Sequence, residues 1–174
     1  MRTSVRIVSE STTKGAIAEL AIASAAIELG IHVLRPLVEG RRYDLVFDTG
    51  ERLLRVQCKW GRLVGAVVIV NLTSNRCTPH GYVRTFYDAD EVDGVAVYCR
   101  PLKRCFYVPI EKIAGQRALH LRLAPAANNQ AAAINWADDF ELGAIAQLGE
   151  RSAGSRKVGG SNPPSSTSNV RPLR

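Results

Sequence analysis

The most regular alternation of apolar and polar positions runs from Tyr43 to Trp60, YDLVFDTGERLLRVQCKW. Two runs rich in aliphatic and aromatic residues flank DTGE, a turn-prone polar tetrapeptide, and together they predict a β-hairpin. Side chains alternate faces along a strand, so Arg55, Gln57 and Lys59 share one face and Leu54, Val56, Cys58 and Trp60 the other. A two-residue turn flanked by Asp48 and Glu51 sets Asp44 opposite Arg55, with longer side chains in diagonal reach. The apolar face addresses a core. Asp44, Gln57 and Lys59 gather on the opposite face, where packing does not require them, although such residues also suit a solvated strand face.

Other elements follow from the same patterns. Lys14–Leu29 is Ala-rich and helical in period, with Thr12 or Thr13 as N-cap, Gly30 at the C-terminal end, and a buried stripe through Ile17, Leu20, Ala21, Ser24 and Ile27 or Glu28. Ile31–Leu34 is a short strand. Ala66–Val70 is apolar throughout, which predicts a third, central strand of a meander, covered on both faces. Asp93–Arg100 and Arg104–Val108 form a second hairpin, Pro109–Ile113 a helical turn and Ala118–Leu123 a strand. Pro125–Leu142 reads as a closing helix, capped by Asn128 or Asn129 and anchored by Ile134, Trp136 and Phe140. Between Asn71 and Asp90 basic residues interleave with aromatics, Arg76, Tyr82, Arg84, Phe86 and Tyr87, as in a nucleic-acid-facing loop or one folded onto its own sheet.

The chain has 174 residues, and 46% of them are hydrophobic, enough for one domain with a core. The formal charge of +7 points to a polyanionic partner, but five of the basic residues and one acid fall in 143–174, leaving the remainder at +3. Nucleic-acid binding therefore has to rest on local patches. Candidates are Arg41 and Arg42 just before Asp44, Arg62 just past Lys59, and Arg76 and Arg84. No apolar run is long enough for a transmembrane helix, the N-terminus lacks the apolar centre of a signal peptide, and no membrane association is expected. Four cysteines lie at 58, 77, 99 and 105 without C-x-x-C spacing. A zinc site from Cys77, His80, Cys99 and Cys105 is conceivable, but reduced thiols in a cytoplasmic protein are the expectation. No P-loop or dinucleotide fingerprint occurs, so nucleotide cofactors are not supported.

From Gly143 onward Ser, Gly, Pro, Asn and Arg dominate, and the segment is expected to be a disordered basic tail, leaving one domain over residues 1–142. Its sequence resembles the conceptual translation of a transfer-RNA gene, with Gly160–Pro163 matching the T-arm.

The acid before one strand and the Gln-x-Lys triplet on the next resemble the PD-(D/E)XK nuclease superfamily. The Gln form is similar to that of homing endonucleases encoded within group I introns. The resemblance spans roughly residues 10 to 142, with Tyr43 standing where many members have Pro. It implies an α/β, restriction-endonuclease-like αβββ core, with a mixed, mostly antiparallel sheet flanked by helices. It further implies Mg²⁺, with Mn²⁺ as a substitute, held by Asp44, Gln57, the Cys58 carbonyl and Glu19 from the first helix. Lys59 would orient or deprotonate the attacking water, or stabilise developing charge. The implied substrate is double-stranded DNA, cut by a homodimer or higher homo-oligomer. A structure-selective nuclease such as a Holliday-junction resolvase, and a catalytically inactive DNA-binding module, are the alternatives.

Overall fold

The Ser9 side chain accepts a hydrogen bond from the Thr12 amide (3.3 Å) and caps a 19-residue helix, α1 (Glu10–Glu28). The cap thus lies three to four residues ahead of the Thr12 or Thr13 expected from sequence. At the other end Gly30 adopts φ +79°, the left-handed conformation that closes a helix without a Cβ penalty. The structure is a computed structural model and describes residues 9–38, 40–78, 81–125 and 134–145.

The buried stripe of α1 is Ala18, Ile22 and Ala26, whereas Leu20 and Ile27 are 67% and 61% exposed. The face expected from aliphatic bulk is therefore rotated away. Two alanines in the stripe let the helix lie close against the sheet, where larger side chains would hold it off. Glu19, next to Ala18, consequently stands at the margin of the helix–sheet contact.

The strands beneath the helix are β1 (His32–Leu34), β2 (Leu45–Asp48) and β3 (Leu53–Trp60). Next along the chain come β4 (Arg62–Val64), β5 (Val67–Asn71), and a separate two-stranded hairpin of β6 (Ser74–Thr78) and β7 (Gly81–Thr85). They are followed by β8 (Gly94–Cys99), β9 (Arg104–Pro109), β10 (Ala118–Arg122) and β11 (Asn135–Trp136). The main sheet has the order β1-β2-β3-β8-β9 and is antiparallel except for the parallel pair β3–β8. It is the mixed, mostly antiparallel sheet expected for the fold.

The third strand of the supposed meander is elsewhere. Residues 67–71 join a second sheet of order β11-β10-β5-β4, and β8 takes the place beside β3. Val68 and Val70 are fully buried while Val67 and Ile69 are half-buried, so the strand is fully covered on one side only. The chain changes sheets at Gly61, where a Cβ would lie 2.7 Å from the Val68 side chain and 2.8 Å from that of Val97. Only a residue without a side chain permits that crossing.

The main sheet has an apolar layer on each side. Toward α1, Leu45, Phe47, Leu54, Val56, Cys58 and Ala96 pack with Ala18, Ile22 and Ala26. Toward the second sheet, Val95, Val97, Cys99, Phe106 and Val108 meet Val68, Val70, Leu119 and Leu121. Cys99 and Cys105 belong to opposite sides, which rules out a shared zinc site; Cys77 and His80 add no described side chain to one.

Pro109–Ile113 contains the expected short turn, a 3₁₀ segment at Ile110–Lys112. The closing helix does not form within its described residues. There β11 pairs in parallel with β10, Ala137–Phe140 is a 3₁₀ turn, and Glu141 bridges Phe106 on β9. Arg104 on β9 binds Asp138 (2.6 Å) and Glu141 (2.8 Å). These long-range partners outweigh the helical propensity of the segment. Residues 126–133, including Asn128 and Asn129, lie outside the described part, as does the tail from residue 146. Of the first tail residues, Ile145 is buried against the α1-side core.

Candidate active site

The β2–β3 hairpin closes through four residues rather than two. Asp48 pairs with Leu53, and the Asp48 carboxylate accepts from the Gly50 amide (2.9 Å), Gly50 having φ +80°. The register is therefore moved by two positions: Leu45 faces Val56 and Val46 faces Arg55. Extended by one residue, this puts Asp44 beside Gln57 instead of Arg55. A shift of two leaves every side chain on its expected face, so Asp44, Gln57 and Lys59 still share one.

Asp44 stands where β2 begins and β3 continues past it. Its amide donates to the Val56 carbonyl (3.0 Å), and its Oδ2 accepts from the Cys58 amide (2.8 Å). The Gln57 side-chain amide donates to the same Oδ2 and, more weakly, to the Cys58 carbonyl (3.3 Å). Asp44 Oδ1 makes no hydrogen bond among the described residues. Burial raises the Asp44 carboxyl above its ordinary 3.8; the Cys58 N–H opposes the rise, the Glu19 charge adds to it, and Lys59 and Arg35 lower it. Two carboxylates thus approach each other at one spot.

Glu19 itself is bound by Arg35 (2.8 Å). Glu19, Arg35, Arg41, Tyr43 and Asp44 line a cleft of about 240 Å³ between the helix and the β1–β2 connection. The helix residue and the strand residue assigned from the family pattern therefore open into one space.

The amide nitrogen of Gln57 lies between two oxygens, Asp44 Oδ2 and the Cys58 carbonyl, that a hard cation would bind. Positive hydrogens occupy the place suited to a positive ion, and turning the amide over would present its oxygen instead. The donor set therefore fits a divalent cation with one carboxylate, two neutral oxygens and Glu19 nearby. Among the described residues no three His, Cys, Asp or Glu side chains form an all-protein cage. Burial drives the Cys58 thiol pKa far up, so of Cys58 only the backbone carbonyl suits a hard cation.

Lys59 makes no hydrogen bond or ion pair among the described residues. Its ammonium lies 5.0 Å from the centroid of the buried Tyr87 ring. Sequence reasoning did not single out Tyr87 as a site residue; the alternation of aromatic and basic residues around it was the available signal.

Of the proposed DNA-contacting arginines, Arg41 is exposed at the cleft and Arg62 is exposed on β4. Arg42 is engaged internally, with Glu91 (2.9 Å), Thr85 Oγ1 (2.9 Å) and the Phe86 carbonyl (2.7 Å). It ties the 85–91 segment to the site. Arg76 and Arg84 stand on β6 and β7, and their side chains lie outside the described part.

An acid at a strand start, a Gln-x-Lys triplet on its neighbour and a glutamate from the flanking helix now meet at one place. A bacterial homing endonuclease, I-Ssp6803I, has a similar structure: TM-score 0.66 at 23% sequence identity, covering 86% of this chain and 100% of that one. No curated protein matches the sequence. The family model for PD-(D/E)XK endonucleases matches residues 9–143, most of the chain and all of the site, so the protein belongs to the PD-(D/E)XK endonuclease family.

Proposed function

We propose that this nuclease is a Mg²⁺-dependent endonuclease that hydrolyses phosphodiester bonds of double-stranded DNA in the manner of a homing enzyme. The observation that carries this reading is the Asp44–Gln57–Cys58 fork, an incompletely neutralised carboxylate beside the Gln57 side-chain amide, the Cys58 carbonyl and a lysine. Mn²⁺ is expected to substitute. Asp44, the Gln57 side-chain oxygen and the Cys58 carbonyl would hold the ion, with Glu19 as a second anionic ligand once it leaves Arg35.

Hydrolysis requires a water to lose a proton as it attacks phosphorus, while negative charge accumulates on the phosphoryl oxygens. A divalent ion bound here supplies Lewis acidity toward those oxygens and a lowered pKa for water. Asp44 and Glu19 orient water through their carboxylate oxygens. Lys59 is placed on the same face to position the attacking water or to offset the growing charge. Arg41 at the mouth of the cleft suits a flanking phosphate. Arg62 on β4 adds a cation beyond the end of the Lys59 strand. The homing assignment is supported by the Gln-x-Lys triplet together with the fold likeness.

A pair of sites is needed to cut both strands, which favours a homodimer. Exposed Leu20 and Ile27 on α1, and Leu34, Leu37 and Val38 on or just past the edge strand β1, supply apolar surface for a second copy. The test is incubation of purified protein with supercoiled plasmid carrying candidate target sequence and Mg²⁺, beside Lys59→Ala. Nicked or linear product that disappears in the variant supports the enzyme. A gel shift without cleavage in any divalent metal would leave only a DNA-binding module.

A further inference from the structure

We propose that Tyr87 is a positioning residue that holds the Lys59 ammonium away from the Asp44 carboxylate, keeping one free for the reaction and the other free for a cation. The proposal rests on the reading of Asp44 and Lys59 given above.

Lys59 and Asp44 occupy one sheet face, with Asp44 beside Gln57 and Lys59 two residues further along. Diagonal neighbours of this kind lie within reach of a lysine side chain. The two nevertheless form no ion pair, and the Lys59 ammonium lies over the Tyr87 ring instead. Both groups are half-buried, where opposite charges attract more strongly than in water. A lysine free to choose would close onto that carboxylate. Closure would neutralise Asp44 and put an ammonium in the place of the metal ion.

The Tyr87 ring provides the competing partner. Its centroid is 5.0 Å from Lys59 Nζ, within the range where the negative face of an aromatic ring attracts a cation. The ring is held from both sides in the chain. Arg42 lies 4.6 Å from the same centroid, and its other contacts go to Thr85, Phe86 and Glu91. Beyond the ring, Arg55 grips the Ala89 carbonyl (2.9 Å) and the Asp93 carboxylate (3.0 Å). Tyr87 is 5% exposed, so it cannot follow the lysine if the lysine moves. Its hydroxyl makes no hydrogen bond among the described residues, which assigns the role to the ring face.

Mn²⁺ binding to the full chain, measured by isothermal titration without DNA, tests this directly. Tyr87→Leu is expected to weaken Mn²⁺ binding by about three- to tenfold, the size of a partly buried cation–π contact. Tyr87→Phe should bind as wild type. In a Tyr87→Leu/Lys59→Met double variant, affinity should return to that of Lys59→Met alone, because the competing ammonium is gone. A purely structural role for Tyr87 would leave the loss in place in the double variant, and that result overturns the proposal, as does unchanged binding by Tyr87→Leu. Should Tyr87→Leu fail to fold, Phe carrying increasing numbers of fluorines at position 87 keeps the shape while weakening the ring face. Mn²⁺ affinity must then fall with fluorine count, and a flat series overturns the proposal. A wild type that binds no Mn²⁺ removes the metal-site reading itself, whereas normal wild-type binding that is lost in Asp44→Ala, with insensitive Tyr87 variants, removes only the positioning role.

Discussion

Asp44 and Asp93 lie beside the same strand, β3, and have opposite electrostatic fates. Asp93 receives the Arg55 backbone amide (2.7 Å) and two nitrogens of its guanidinium (3.0 and 3.1 Å). Burial alone would raise its pKa, but the Arg55 hydrogen bonds and charge bring it below the ordinary value. Asp44 receives one backbone amide and one neutral side-chain amide, no arginine binds it, and its pKa is raised. A carboxylate clamped by a guanidinium is electrostatically complete and serves the fold. A desolvated carboxylate with an unused oxygen is suited to receiving a cation. Residue type does not separate the two; the partners do.

The largest effect that would break this contrast is on chemistry. Asp44→Ala should reduce cleavage by at least about 10³-fold while far-UV circular dichroism stays that of the wild type. Asp93→Ala should retain the proposed metal-binding residues and lose stability instead. The expected loss is about 1–2 kcal/mol by urea denaturation, discounted because the pair is one-third exposed. A folded Asp44→Ala that still cuts, or an Asp93→Ala as stable as wild type, would collapse the distinction.

The metal side can be sharpened with Gln57→Glu. A second anionic ligand beside Asp44 should lower the Mn²⁺ titration midpoint by about tenfold, even if turnover falls because the new carboxylate repels phosphate. Indistinguishable titrations of variant and wild type would put the ion elsewhere.

The smallest expected effect is the sign of the pH dependence. With its folded pKa raised, Asp44 holds its proton in the native state after the unfolded chain has lost it, so its contribution declines as pH climbs through that window. Asp44→Asn has no proton to lose and should be more stable than wild type at neutral pH, with the difference vanishing below the ordinary carboxylate range. Asp93, with its pKa lowered, stabilises above its unfolded value and that contribution is lost as pH falls. Asp93→Asn should therefore be less stable at neutral pH and approach wild type in acid. Urea midpoints of both variants measured across the acid range give the two signs, and a shared sign would refute the contrast.

Much of the candidate site was legible in the chain because the face a strand residue occupies is insensitive to an even shift of register. The turn after Asp48 has four residues instead of two, but a register shift of two preserves the face of every residue. Asp44, Gln57 and Lys59 thus stayed together although Asp44 changed its neighbour from Arg55 to Gln57. Helix α1 and the β8–β9 hairpin were legible for a similar reason: both are fixed by contacts between residues close in sequence.

What tertiary structure alone decided depended on partners distant in the chain. No pattern within 67–71 says whether β3 is followed by β5 or joined in parallel by β8, since either neighbour satisfies an apolar strand. The 134–142 segment carries helical anchors, yet Arg104 and Phe106 draw it into strand and 3₁₀ geometry. Arg42 precedes the site as if for phosphate, and Glu91, Thr85 and Phe86 claim it. The sequence by itself determined that Asp44, Gln57 and Lys59 share one sheet face, because period-two alternation carries them there. Only the fold decided what each site group is paired with, because contacts such as Arg35 with Glu19 and Tyr87 with Lys59 join residues whose proximity no local pattern encodes.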